Sequence, residues 1–333
     1  MAVLSAPPLK RLSRPQSGAL PPLRIGSQHI AMVHAVAQAR FLSSEQITRK
    51  VGGSHQKNLR RLQKLWAHGF LDRPMQQHAE LAAFFDQGNR PLVYALGRRG
   101  ARLLADHGMT TDHKLDWTTK NVRATAPFLA HTIDTAECML AFEFDVRARS
   151  GLRLFDHHEL LHLMPEATRE ARDPFALRVT VNHEQRNVDI AVVPDRLFSI
   201  ACEGANTRQN FALERDRGTM VIGTKQTKLT KSSYRRKLIA YAEAFQKKKH
   251  TQMWGFQSFR VLTVTPSEAR IANMIAAQCE ATDAPAGLFL YSTPERIAER
   301  GALGPAWTSA KADRISLVTD HTIEERERER GQR

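Results

Sequence analysis

Two short acidic motifs in the second half of the chain have the composition of a site for a hard divalent cation. Val193-Pro194-Asp195 closes one predicted strand, and Glu214-Arg215-Asp216 lies nearly twenty residues later on the next. Carboxylates at neighbouring strand ends converge, and an ion such as Mg²⁺ needs oxygen ligands placed in that way. Held there, it activates water and neutralises charge developing on a phosphodiester. Asp195 and Glu214 are therefore the expected metal ligands. Asp189, read on the same strand as Asp195, would share its face but sit about 20 Å away at ~3.3 Å per residue, and is the weaker candidate.

A competing motif is His158-Glu159-Leu160-Leu161-His162, which satisfies His-Glu-x-x-His, two imidazoles one helical turn apart with a glutamate as general base for zinc chemistry. Its context is poor. Pro165 should cut the helix short, and the extended pattern's glycine and third histidine are missing, Thr168 standing at the latter position. Glu166, Glu170 and Glu184 are the carboxylates left to act as a third ligand. Histidines without a metal role are the expected outcome.

Charge points to a polyanion. The 333 residues hold 49 Lys+Arg against 34 Asp+Glu, a net +15 with a pI near 10.2, and nucleic acid is the most abundant polyanion a protein meets. One predicted helix, from a cap at Ser54 to about His68, carries an apolar stripe of Leu59, Leu62, Leu65 and Trp66. Lys57, Arg60, Arg61 and Lys64 lie on its other side, with His55, Gln56 and Asn58 at its start. In helix-turn-helix docking the first residues of such a helix meet base edges while flanking Lys and Arg grip phosphates. Gln56, Lys57, Arg60, Arg61 and Lys64 are thus predicted DNA contacts, joined by Arg98, Arg99 and Arg90. Thr224 to Lys249 holds nine further basic residues, Arg235 and Arg236 among them, against Glu243 alone, a pattern that suits a phosphate-tracking surface. Tyr234 and Tyr241 stand in the same run, and at least one is expected in the core.

The elements that position these residues read as two domains. Residues 1–24 hold five prolines and basic residues without an acid, and are expected as a flexible basic arm. Over residues 25–108, Ile30, Val33, Ala37 and Phe41 mark a first helix, Ser44-Glu45-Gln46-Ile47 opens a second that Gly52-Gly53 ends, and the Ser54 helix is the third. Phe70 to Pro74 and Pro91 to Leu96 pair as a hairpin, and three helices followed by a two-stranded wing is the winged-helix plan. Residues 109–126 are read as a linker. A long helix near Phe128 to Arg149 then opens an α/β region with predicted strands at Leu152–Phe155, Asn187–Val193, Phe211–Glu214, Phe259–Thr265 and Gly287–Tyr291. Residues 301–333 are read as a charged tail.

Pro194-Asp195 followed by Glu214-x-Asp216 resembles the PD-(D/E)XK nuclease core. Glu214 to Thr219 leading to Lys237-Leu238-x-x-Tyr241 is similar to the replication-relaxation family of plasmid-associated proteins. His131 and the strand Val261 to Thr265, with the Arg270-containing helix after it, belong to the same resemblance, which covers most of residues 28 to 290. It implies an α/β (α+β) fold with an N-terminal winged helix-turn-helix and a PD-(D/E)XK-like domain, residues 127–300, built on a central mixed sheet. It also implies a role in plasmid replication and DNA relaxation. Where such an enzyme has lysine this chain has Asp216, so Lys237 on the following helix is the substitute for transition-state charge, with Lys225 and Lys228 as alternatives. The expected catalytic set is Asp195, Glu214, Asp216 and Lys237, with Mg²⁺ as cofactor. An active Mg²⁺-dependent endonuclease and a winged-helix transcription regulator without catalysis are the alternative functions. Double-stranded DNA is the expected partner, with a relaxase or replication protein and a second copy of the chain as further candidates.

No stretch approaches the ~18 apolar residues of a membrane span, and Met1 to Arg24 lacks the apolar core of a secretory signal. A cytoplasmic location is expected. Cys138, Cys202 and Cys279 are too widely spaced for a Cys-x-x-Cys pair.

Overall fold

The computed structural model describes residues 14, 20–77, 91–109, 117–183, 185–202 and 208–318. Arg90, Glu184, the alternating Glu and Arg of 324–330, and the arm up to residue 19 apart from Arg14 lie outside the described residues. Among the described residues, twelve α-helices accompany a five-stranded mixed sheet, a mixed α/β class. No described helix is long and apolar enough to cross a membrane. Internal contacts divide the chain into Met1–Leu140 and Ala141–Arg333.

The first unit runs α1 (Ser27–Ala39), β1 (Phe41–Ser43), α2 (Ser44–Val51), α3 (His55–Ala67), β2 (Leu71–Asp72), β3 (Val93–Leu96), α4 (Arg98–Asp106), α5 (Trp117–Val122) and the start of α6 (Ala126–Arg147). Phe41, expected as the last apolar position of the first helix, opens β1 instead, because Arg40 turns the chain at φ 70. Ser43 then caps α2. Its Oγ accepts the Gln46 N–H at 3.1 Å while Gln46 Oε1 accepts the Ser43 N–H at 3.0 Å, a reciprocal pair that satisfies donors left over at a helix start. Gly52 (φ 69) ends α2 and Gly69 (φ 79) follows α3, left-handed positions that favour glycine. β3 lies between β1 and β2 and pairs antiparallel with both, Leu71 opposite Leu96 and Phe41 opposite Ala95. Met32, Val33, Leu62, Leu65, Leu71 and Leu96 form the core under this sheet.

The stretch read as a linker carries α5. Its Asn121 is buried and donates to the Leu96 carbonyl at 2.9 Å and to Asp72 Oδ2 at 3.2 Å. Thr118 donates to the same Asp72 oxygen at 2.9 Å, and Arg14 pairs with the other. Polar residues that look like linker composition are the partners of a buried carboxylate.

The second unit continues α6 with β4 (Leu152–Phe155), α7 (His157–Leu163), α8 (Glu166–Arg169), β5 (Leu177–His183), β6 (Arg186–Val192), β7 (Arg196–Cys202), β8 (Arg208–Arg215), α9 (Tyr234–Gln246), α10 (Lys249–Trp254), β9 (Arg260–Val264), α11 (Glu268–Ala281), β10 (Phe289–Ser292) and α12 (Pro294–Arg300). The main sheet has the order β10-β9-β8-β7-β4. β4, β7 and β8 form an antiparallel meander, and β9 and β10 continue parallel to β8. The crossover from β8 to β9 contains α9, as a parallel connection requires.

Two expectations change here. β7 was not foreseen, and Asp189 and Asp195 do not share a strand, because β6 ends at Val192 before Asp195. Asp189 lies on β6, which pairs with β5 in a separate two-stranded hairpin opposite Thr180, whereas Asp195 sits in the turn entering β7. The start of the supposed charged tail is core: Ala302, Leu303, Ala306 and Trp307 are buried, and the Trp307 ring stacks on Phe142 at 6.1 Å.

Candidate functional site

Antiparallel pairing of β7 with β8 sets Arg196 opposite Leu213, so the turn before β7 lies beside the last residues of β8. Asp195 therefore reaches Glu214's neighbourhood: its Oδ2 accepts the Arg215 N–H at 2.7 Å. Glu214 is 2% exposed because the sheet is covered at β8. α9 presents Tyr234, Lys237 and Tyr241 at spacings of three and four, one helical face. From that face Lys237 Nζ meets Glu214 Oε2 at 2.5 Å, and Tyr241 Oη donates to Glu214 Oε1 at 2.6 Å. Tyr234 Oη bonds Thr263 Oγ1 on β9 at 2.7 Å.

The electrostatics follow from burial. Desolvation pushes the Glu214 carboxyl above the ordinary carboxylate range, Lys237 pulls it back, and Asp195 pushes it up again. Burial works against the charge on Lys237, yet Glu214 and Asp195 outweigh it and hold the ammonium above its usual value. Burial and then Glu214 push the Tyr241 phenol well up, so it stays a donor. Of the expected set, Asp195, Glu214 and Lys237 lie close enough to act on one another's charge. Tyr241 is the member that residue types alone did not single out, although the Lys237-x-x-x-Tyr241 spacing carried the signal.

Asp216 stands apart from that group. It accepts two bonds from Arg270 of α11, Nε to Oδ2 at 2.5 Å and Nη2 to Oδ1 at 2.9 Å, and a third from Thr265 Oγ1 at 2.7 Å. Arg270 is its counter-ion. Arg215 instead donates to the Asp216 and Val264 carbonyls at 2.5 and 3.1 Å. Asp216 is a fastening between β8, β9 and α11. Among the described residues no three His, Cys, Asp or Glu side chains are grouped to hold a metal ion.

The basic residues divide sharply. On α3, Gln56, Lys57, Arg60, Gln63 and Lys64 are exposed. Asn58 is wholly buried, donating to the Gly52 carbonyl at 2.9 Å, and its Oδ1 accepts from Arg61 at 3.0 Å. Leu59 is only partly covered. Arg98 and Arg99 are both exposed at the start of α4; Arg99 also donates to the His68 carbonyl at 2.9 Å and lies 4.7 Å over the Phe70 ring, closing the C-terminal end of α3. In the second unit the predicted contacts Arg235 and Arg236 turn inward. Arg235 is buried, and Arg236 donates to the Leu229 carbonyl at 2.8 Å. Lys225, Lys228 and Lys231 are exposed, and Lys225 approaches Glu280 at 3.9 Å.

His-Glu-x-x-His begins α7. Asp156 Oδ1 accepts the His158 and Glu159 N–H groups at 2.9 Å, and Glu159 Oε2 accepts the Asp156 N–H at 3.2 Å, a capping box. Glu159 also pairs with Arg153 at 2.8 Å. The glutamate that zinc chemistry would need as a base is a helix cap, and the helix ends at Leu163 before Pro165.

The sequence model of the Replication-relaxation family matches residues 33–258, two thirds of the chain. The chain belongs to the Replication-relaxation family. No curated protein and no solved structure matches it. Membership implies a role connected with plasmid replication, and the matched span of this Replication-relaxation protein includes α3, Asp195, Glu214 and all of α9.

Proposed function

We propose that this Replication-relaxation protein binds double-stranded DNA at a plasmid or other mobile element, docking through the outward face of α3 in a winged helix. The observation that carries this is the face itself: Gln56, Lys57, Arg60, Gln63 and Lys64 are all exposed on a helix without a single acidic residue. Helix, strand, two helices and two further strands in one antiparallel sheet is the winged-helix order, and in that plan α3 is the element that enters the major groove. Arg98 extends the basic surface. A relaxase or replication protein is the partner such a role implies.

A second reading, an Mg²⁺-dependent endonuclease, rests on the proximity of Asp195, Glu214 and Lys237. The succession α6, β4, β7, β8, α9, β9 matches the helix, three-stranded meander, helix and strand of a PD-(D/E)XK core, with the carboxylates at the β7 and β8 ends. The donor set suits Mg²⁺, which takes oxygen ligands and keeps several waters. When bound there, Mg²⁺ would supply a nucleophilic water and neutralise phosphate charge. Within the chain, Asp195 and Glu214 hold negative charge at one point, Tyr241 orients Glu214, and Lys237 keeps a proton and a positive charge beside it. A cation must share Glu214 with Lys237.

The test of this second reading is cleavage of supercoiled plasmid with Mg²⁺, Mn²⁺ or EDTA by wild type and Asp195→Asn. Asparagine keeps an oxygen for the Arg215 N–H, so the fold should persist. Metal-dependent nicking lost in the variant supports the endonuclease; no nicking by a wild type that binds the plasmid leaves a DNA-binding protein.

A further inference from the structure

On α9, Arg235, Ile239, Ala242 and Gln246 recur at helical spacing on a face different from that of Lys237 and Tyr241. They line a cavity of about 470 Å³ whose other walls come from β5, the end of α11 and residues 282–285. Arg235 is 7% exposed, and its Nε and Nη1 are buried without a hydrogen-bond partner among the described residues. A guanidinium cannot shed its charge, and its planar fork matches a carboxylate in a bidentate pair. An unpaired buried arginine beside a cavity is thus a half-made ion pair.

We propose that this cavity binds a small molecule with one carboxylate on an apolar body, the carboxylate pairing with Arg235. The size falls within the roughly 300–1,000 Å³ of small-molecule pockets. Leu229, Ile239, Ala242, Phe245, Ala281 and Pro285 supply apolar walls for the body of the ligand, while Asn182, Gln246 and Thr282 supply neutral polar groups. Glu243 and Asp283 also line the cavity. Lys247 neutralises Glu243 at 2.5 Å, but Asp283 adds a negative charge that selects against phosphates and other multiply charged anions. The site is separate from the Asp195–Glu214–Lys237 group, so it stands whether or not DNA is cleaved.

The full chain should be titrated with benzoate and octanoate, with benzamide and inorganic phosphate as comparison ligands, by calorimetry and thermal shift. Saturable binding of at least one carboxylate is expected, with a raised melting temperature and at least tenfold weaker affinity for benzamide and phosphate. Arg235→Met should weaken the carboxylate at least tenfold, and Ala242→Phe, which keeps the arginine but fills the cavity, should do the same. If Arg235→Met does not fold, the Ala242→Phe variant and the benzoate-to-benzamide ratio decide. No saturable carboxylate binding, equal benzamide binding, preference for phosphate, or an unchanged affinity in a folded variant would each overturn the site.

Discussion

α3 and α9 are both thirteen-residue helices in the most basic parts of the chain, yet they spend their charge in opposite ways. α3 buries four residues and α9 buries seven. α3 packs through one stripe centred on Leu62 and Leu65, so Lys57, Arg60 and Lys64 point to water. α9 is covered by the main sheet on one side, where Lys237 meets Glu214, and by the β5–β6 hairpin on another, where Arg236 donates to the Ala191 carbonyl at 3.4 Å. The difference teaches that a run of Lys and Arg reports charge density and not direction. Direction depends on how many sides of the helix other elements cover.

The sharpest way to break the comparison is Lys237→Met. Glu214 would be left as an unpaired carboxylate in a dry site, a loss of about 3–5 kcal/mol of stability near pH 8. The sign of its pH dependence follows from burial, which already raises Glu214; without Lys237 the folded value rises further. The native state then holds a proton that the unfolded chain has lost, so stability is kept at low pH and lost as pH rises through the folded value. Denaturant melts should show a smaller deficit near pH 5 than near pH 8, and adding Glu214→Gln should restore most of it. A deficit independent of pH would remove the buried ion pair from the description of α9.

Asp216→Asn comes next. It weakens charge-assisted bonds to Arg270, and a loss of about 1.5–3 kcal/mol is expected, with any metal-dependent melting shift retained. Loss of the metal response with stability intact would return Asp216 to the site.

Much of this was legible beforehand. The Leu62 and Leu65 stripe, the Ser54 start and the Gly69 stop are local signals, and α3 follows them. Asp195 and Glu214 were expected to meet through the wrong strand: the apolar run that Asp195 was read to close is β6, in the separate hairpin, and Asp195 comes beside Glu214 only because it enters β7, which pairs with β8. What stayed hidden depended on long-range partners. Arg270, 54 residues from Asp216, and the inward turn of Arg235 and Arg236 leave no local trace. α5 was missed because Asn121 and Thr118 look like loop residues until Asp72 is seen between them.

A smaller effect concerns α7. Burial, then Arg196 and His158, hold the His157 imidazole well below its usual value of 6.5. The unfolded chain takes the proton first, so the contribution is complete above about pH 6.5 and is lost as pH falls toward the folded value. His157→Gln should flatten the acid limb of the stability profile by no more than ~1.4 kcal/mol per pH unit. An unchanged limb would mean the imidazole titrates freely.

DNA affinity as a function of salt tests the outward face of α3 most directly. Each phosphate contact contributes a slope of about 0.9 in log affinity against log salt, so Lys57→Ala with Arg60→Ala should reduce the slope by roughly two while the melting temperature stays within a degree or so of wild type. Arg236→Gln should leave the slope unaltered. An unchanged slope in the folded α3 variant, or an equal loss in the α9 variant, would contradict docking through α3.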